Sequence, residues 1–395
     1  MSTDLHRGAC PSLSAPMQTG DGLLARLNPA DGALTGDQLA GVADAAQAFG
    51  NGQLEISARG NLQIRGLTRA SAGVLADAVA ELGIAVHPGI EVRTGALAGL
   101  DTAEIADPRP LAEAIRKRAL PLADRLAPKL SVVIDGGGAL PLDELVADVR
   151  LRAISAREWL VEAGRTVAGT GGPDAAVDAA IFVLDHLSQR GPGARGRDLD
   201  DAAISAVSAS LKPAPQRASA QATLPVGRFP LRDGRMARGI ALAFGQIDAS
   251  SLGTLAQAAE SETVFRLAPG RGLLVLNMSE AEERTLVETA TRLGLVTEAS
   301  DPRLRIVTCA GAPACASAHL ATKAIAAALA MEIPDGSGIV HLSGCAKQCA
   351  NPRRAAATLI GGAQGYEIET KDDAMRARLK RIAESHGAAA RRRSA

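Results

Sequence analysis

Two stretches of this chain carry the same run of apolar and polar positions. Leu54–Gly83 reads LEISARGNLQIRGLTRASAGVLADAVAELG, and Phe265–Gly294 reads FRLAPGRGLLVLNMSEAEERTLVETATRLG, aligned without a gap. Each opens with period-two alternation and turns at a glycine-containing tetrad, ARGN or PGRG. Each then alternates again and switches to helical spacing, which predicts a hairpin followed by a helix. In the helices Leu75, Val79 and Leu82 match Leu286, Ala290 and Leu293, and Gly83 and Gly294 stand where a left-handed C-terminal cap is needed. Upstream, GLLARLNP and GIALAFGQ read as strands. Leu39, Val42, Ala43 and Ala46, like Leu252, Leu255, Ala256 and Ala259, then fall at helical offsets. Both units are therefore β-α-β-β-α, close to a ferredoxin-like split unit. Chance likeness between two α/β segments is the bland alternative; the shared element order and turn position favour duplication.

A second α/β stretch follows each unit. KLSVVIDGGG predicts a buried strand entering a glycine-rich turn, and AAVDAAIFVLDHLSQ a helix. In the other half RLRIVTCAG predicts a strand delivering Cys309, and ASAHLATKAIAAALAME a helix starting just past Cys315. Residues 191–230, rich in Gly, Pro, Ala and Ser, read as a surface linker with room for a helix near Ala202–Leu211. The expected class is α+β: duplicated ferredoxin-like half-domains at 1–88 and 231–300, each followed by an α/β domain, at 89–190 and 301–395.

Composition narrows the function. Among 395 residues, Lys+Arg and Asp+Glu both total 43, so no global field attracts nucleic acid or acidic membranes. Aromatic residues are only 2%, too few for base-stacking platforms. No apolar run reaches the ~20 residues of a membrane helix. MSTDLHRGACPS lacks the apolar segment of a secretory signal, so the expected location is cytoplasmic. The terminal Arg391–Arg393 reads as a solvated tail.

Four of the five cysteines crowd into TCAGAPACASAH and HLSGCAKQCANP, as C-x5-C and then C-x3-C. Cytoplasmic thiols stay reduced, so clustering points to metal rather than disulfides. Cys309 at a strand end, Cys315 before a helix, and Cys345 and Cys349 in a turn are loops that can aim four thiolates at one iron–sulfur cluster. Structural zinc usually takes tighter pairs, and four buried structural thiols are the third reading.

This cysteine pattern resembles the cluster motif of the nitrite and sulfite reductase superfamily, and the duplicated halves resemble its ferredoxin-like repeats. The opening GACPSLSAPMQTGDGLLARL is similar to that superfamily's oxygen-dependent branch, which modifies a reduced tetrapyrrole in aerobic cobalamin synthesis. The resemblance implies a 4Fe-4S cluster on Cys309, Cys315, Cys345 and Cys349, with Cys349 at the position that bridges to sirohaem iron in the reductases. It also implies a mononuclear non-haem iron whose ligands it does not name. It places substrate carboxylates on Arg59, Asn61, Gln63 and Arg65 of SARGNLQIR, where alternation puts Asn61, Gln63 and Arg65 on one face. A solvated strand face is the plain alternative.

The reductases carry a Lys-x-Lys pair where this chain has Lys129 and Ser131, which argues against sulfite or nitrite reduction. Lys129 is expected to hold substrate and to serve near the chemistry. Asp135, beside three glycines, is open to three roles: metal ligand, general base or turn residue. Lys347, between two cysteines, is expected to offset negative charge or bind a carboxylate. His319 and His341 flank the cysteines and read as structural, and Cys10 as an inert thiol. No G-x-G-x-x-G follows a strand, so electrons from NADH are expected through a separate reductase. The expected function is a monooxygenase that takes dioxygen and a polycarboxylate tetrapyrrole, with no nucleic acid or membrane partner. A sirohaem-dependent sulfite or nitrite reductase and a non-catalytic iron–sulfur electron carrier are the alternatives.

Overall fold

The computed structural model describes residues 11–215, 223–260, 262–352 and 354–387. Cys10 and Arg391–Arg393 lie outside the described residues.

The repeated sequence pattern folds as two sheets that trade an edge strand. The first sheet runs Met17–Thr19, Gly22–Leu27, Leu62–Leu67, Gln53–Ile56 and then Gln246–Asp248 from the second half. The second runs Gly227–Pro230, Met236–Ala241, Gly272–Leu276, Val264–Ala268 and then Ala33–Thr35 from the first half. Leu54 pairs with Ile247, and Phe265 with Leu34. The duplication shows in fine detail. The residue two positions ahead of each exchanged strand has a positive φ, 53° at Asp31 and 60° at Phe244. Helices Arg69–Glu81 and Glu280–Arg292 both start in a capping box, from Thr68 and from Ser279. Gly83 and Gly294 close them with φ of 62° and 73°, as the αL cap requires.

The half-domains expected at 1–88 and 231–300 share one core. Leu54, Ile64 and Leu75 pack in the same cluster as Phe265, Leu273 and Leu286. Phe265 is fully buried on the strand that joins the halves, and burying such a side chain stabilises by about 1.5–3 kcal/mol.

The third sheet runs Thr166–Gly171, Glu158–Ala163, Val149–Ser155, Ser131–Asp135 and Glu91–Thr94. Helices Arg109–Ala119 and Pro173–Arg190 pack on it around the buried Trp159. The antiparallel meander Val149–Gly171 was not anticipated from the sequence. The span read as a linker is not free along its described length. Helix Asp201–Ser208 packs Val207 and Ile204 on this core, Leu211 just past it does the same, and Thr170 bridges to Lys212. The last sheet runs Ile306–Thr308, Val340–Ser343, Ala357–Gly362 and Gly365–Thr370, covered by helices Thr322–Ala330 and Asp373–Ser385.

The helix expected just past Cys315 begins only at Thr322. The backbone ahead of it is instead tied into the loop. Cys315 donates to Gly311 O (2.8 Å), Ala316 to Gly20 O (2.9 Å) and His319 to Gly344 O (2.7 Å). Among the described residues, no helix is long and apolar enough to cross a membrane.

Candidate functional site

The two cysteine loops face each other across Gly344. A Cβ built there would stand 2.7 Å from Ala318 Cβ and 3.4 Å from Gly311 Cα, so glycine is what lets the loops close up. The Gly344 N–H donates to Cys309 Sγ at 3.2 Å, a bond of the kind that tunes cluster sulfurs. Thr322 Oγ1 holds Cys309 O (3.0 Å), and Ser343 Oγ holds Cys345 O (2.8 Å). The Cys349 thiol feels the other three. Burial pushes the Cys349 thiol above its ordinary pKa, the Cys345, Cys309 and Cys315 thiols push it further, and Lys347 opposes them. Among the described residues, no three Cys, His, Asp or Glu side chains stand close enough to share a single metal ion. The same fact leaves the implied mononuclear iron without a ligand set among the described residues, and no step is assigned to it.

Next to the cysteines lies the polar face of the first sheet. Leu54, Ile56, Leu62 and Ile64 point into the shared core, so the alternate positions Glu55, Asn61, Gln63 and Arg65 point away from it. Gln63 pairs in register with Arg26 on one side and with Glu55 on the other. In the second sheet, Leu274 and Leu276 stand where the first has Gln63 and Arg65, and Gly239 where it has Arg26. Leu274 and Leu276 pack with Leu97 and Phe229 in an apolar plug. The duplicated fold thus offers one polar face, not two.

At its Asn61 end this face meets a cavity of about 480 Å³ between the first half and the strand Glu91–Thr94. Arg26, Arg93 and Arg116 line it, with Glu91, Asp31 and His87. Arg93 is almost fully buried; its Nε lies 3.0 Å from Glu91 Oε1, and its Nη2 donates to Asn61 Oδ1. Burial pushes the Glu91 carboxyl up, but the Arg93 and Arg59 guanidiniums outweigh it and hold it below its ordinary pKa. Asn61 is fully buried, and its Nδ2 has no protein partner.

The sequence-derived candidates separate into three groups. Cys309, Cys315, Cys345 and Cys349 come together, with Lys347 Nζ spanning the loops to Ser317 Oγ at 3.0 Å. Arg59, Asn61 and Gln63 belong to the polar face and its end; Arg59 reaches Glu91 (3.3 Å) and Val146 O (3.0 Å). Arg65 is bound to Asp21 (2.7 and 2.9 Å) and to Glu55 (3.0 Å). Asp135 takes the turn position among its three expected roles. It is buried, and its two oxygens accept the N–H groups of Gly137 (2.9 Å) and Leu142 (3.0 Å), so it shapes the glycine turn. Lys129 is exposed and absent from the cavity wall, although its neighbour Pro128 lines it. His341 is fully buried and neutral, its pKa lowered to about 4 by burial and by Arg271, while His319 is exposed.

Residues 15–82 match the nitrite/sulfite reductase ferredoxin-like half domain. The solved structure of the Mycobacterium tuberculosis NirA protein superposes with a TM-score of 0.69 at 19% identity, covering 88% of this chain and 74% of that one. That likeness shows the fold. A precorrin-3B synthase from Sinorhizobium sp is 43% identical over 385 residues, 92% of this chain and 83% of the relative. The chain belongs to the precorrin-3B synthase family.

In this member of the precorrin-3B synthase family, sequence reasoning missed the cations of the cavity. Arg26 sits in the quoted strand GLLARL, but only the register shows it beside Gln63. Arg93 lies in EVRT, a strand of four residues with too little pattern to detect. Its mark in the sequence is one Arg flanked by apolar Val92, where alternation points it the other way.

Proposed function

We propose that the chain is an oxygen-dependent precorrin-3B synthase. It takes precorrin-3A, introduces a hydroxyl at the meso carbon next to ring A, and closes a lactone from the ring-A acetate. One atom of dioxygen enters the product and the other leaves as water, with two electrons and two protons consumed. The observation that carries this reading is the single polar face of the first sheet, running from the arginine-lined cavity to the cysteine quartet. A tetrapyrrole with many carboxylates needs such a row of cations, and planar guanidiniums bind carboxylates through paired bonds.

Arg26, Arg93 and Arg59 would hold acetate and propionate groups, with Gln63 and Asn61 donating between them. Arg116 closes the far wall of the cavity. Leu27, Val92 and Leu267 on the same wall exclude water from the ring edge. Cys349 is the exposed member of the quartet, and Lys347 lies beside it. Arg59, Gln63 and Arg93 orient the ring so that its reacting edge faces Cys349. The 4Fe-4S cluster, when bound by Cys309, Cys315, Cys345 and Cys349, supplies electrons singly, which dioxygen chemistry on a closed-shell molecule requires. The electrons come from NADH through a separate reductase.

Sulfite or nitrite reduction has less support. Ser131, in place of a second lysine, is buried; its N–H donates to Asp148 Oδ2 at 2.9 Å, and its hydroxyl lies 3.4 Å from Val146 O. The test is anaerobic purification with iron and sulfide analysis, then turnover of precorrin-3A under isotopically labelled dioxygen. One labelled oxygen in the product, without a haem-type spectrum, is expected. A Soret and long-wavelength sirohaem band, with no oxygen incorporation, would refute the proposal.

A further inference from the structure

The turn Thr19–Gly22, at the tip of the first hairpin, is docked on the cysteine loop. The Ala316 N–H donates to Gly20 O at 2.9 Å, and a Cβ built on Gly20 would stand 2.3 Å from Cys315 Sγ. The next residue, Asp21, is nearly buried and takes both Nε and Nη2 of Arg65, at 2.7 and 2.9 Å. Thr19 Oγ1 adds a bond to Asp21 Oδ1 at 2.7 Å. Glu55 takes Arg65 Nη1 at 3.0 Å, and Lys323, at the start of the helix after the loop, reaches Gln53 at 3.4 Å. Two cations and two carboxylates thus alternate beside Cys315.

We infer that Arg65 is a positioning residue for the cluster rather than a substrate group: through Asp21 it pins the Gly20 turn against Cys315 and keeps a positive charge beside that thiolate. This rests on the reading that the quartet holds an iron–sulfur cluster. Burial lowers the Arg65 pKa, but Asp21, Glu55 and the Cys315 thiol together raise it above its ordinary value, so the guanidinium stays charged. Lys323 behaves differently: burial and then Arg65 lower its pKa, with Glu55, Asp21 and Asp248 opposing. Cluster potential follows local charge and hydrogen bonding. Removing the Arg65 charge leaves Asp21 and Glu55 uncompensated and disfavours the reduced, more negative cluster. Removing the Asp21 charge does the reverse.

The test uses the full chain purified anaerobically, as Arg65→Gln, Arg65→Lys and Asp21→Asn. Iron and sulfide content, the electron paramagnetic resonance signal of the reduced cluster and its midpoint potential are measured. Binding of uroporphyrin, an octacarboxylate probe, is measured in parallel. Arg65→Gln is expected to lower the potential and Asp21→Asn to raise it. Arg65→Lys should stay near the parent potential but lose iron, since it cannot bind Asp21 bidentately. Probe affinity should change less than twofold in all three. Opposite shifts are a charge signature that general damage does not give. If Arg65→Gln holds no iron, the rise in Asp21→Asn carries the test. Potentials that do not move, or that move the same way, overturn the inference. So does a tenfold loss of probe affinity in Arg65→Gln at unchanged potential, which would return Arg65 to the substrate. A parent chain without iron would sink the cluster reading itself, a different result from a loaded parent matched by its variants.

Discussion

Replacing Arg93 separates its binding role from its structural one. Arg93→Met leaves the half-buried Glu91 with Arg59 at 3.3 Å and the more distant Arg26, and it deprives the buried Asn61 Oδ1 of its donor. Breaking a buried pair on one side costs about 3–5 kcal/mol, and an orphaned buried acceptor costs about 1–3 kcal/mol. Because Arg59 still screens Glu91, the sum for the single variant is placed near the lower figures, at about 4 kcal/mol. In Arg93→Met/Glu91→Met the carboxylate is gone as well, and only the Asn61 cost of about 1–3 kcal/mol remains. The double variant is therefore expected to be more stable than the single, although it removes more polar contacts. Chemical denaturation of both variants reads this order. Affinity for uroporphyrin, followed by quenching of its fluorescence, should fall in both. A lost charge-assisted bond of about 1.5–3 kcal/mol corresponds to about 10- to 100-fold. A double variant that folds well and binds as tightly as the parent would show that the cavity arginine does not hold carboxylates. A double variant less stable than the single would refute the reasoning about Glu91.

Three further outcomes are expected. Gly20→Ala forces a Cβ into Cys315 Sγ, so iron and sulfide per chain should drop while the far-ultraviolet spectrum stays that of the parent. Burial raises the Glu104 carboxyl from 4.5 to about 7, against the N–H of Gly99 that favours its charged form. The folded state therefore holds the proton more tightly, and stability is lost as pH rises from about 4.5 through about 7. Glu104→Gln should flatten that slope and raise the melting temperature at pH 8 by the equivalent of about 1 kcal/mol after solvent screening. Phe265→Ala, in the core that both halves share, should cost about 3–5 kcal/mol in a single cooperative transition. Two separate transitions would refute the shared core.

Much of the fold was legible where period and cap agreed. Both hairpin–helix units could be read because alternation at Leu54 and Phe265 passes into helical spacing that ends at Gly83 and Gly294. The exchange could not. Ala33–Thr35 and Gln246–Asp248 have three residues each, and no local pattern tells a strand which sheet it will join. The run after Cys315 misled because its apolar spacing is helical throughout, while its first residues are tied to the distant Gly20 and Gly344. The nearness of the four cysteines followed from their place at strand ends and turns. Arg65 was placed on the correct face by alternation, yet its partner Asp21 lies 44 positions away, beyond any local rule. Asp135 was ambiguous for a plain reason: an aspartate before glycines looks the same whether it serves chemistry or two backbone N–H groups.

The traded edge strands carry a consequence for how this molecule can be divided. Severing the chain anywhere between its two halves would not release two independent pieces. Each fragment keeps a ribbon stitched into the other's sheet, at Ala33–Thr35 and at Gln246–Asp248. Produced alone, either half would expose a row of unpaired backbone groups where its partner's ribbon belongs, and would tend to seek a replacement from another copy. Produced together, the two fragments are expected to reassemble by mutual weaving.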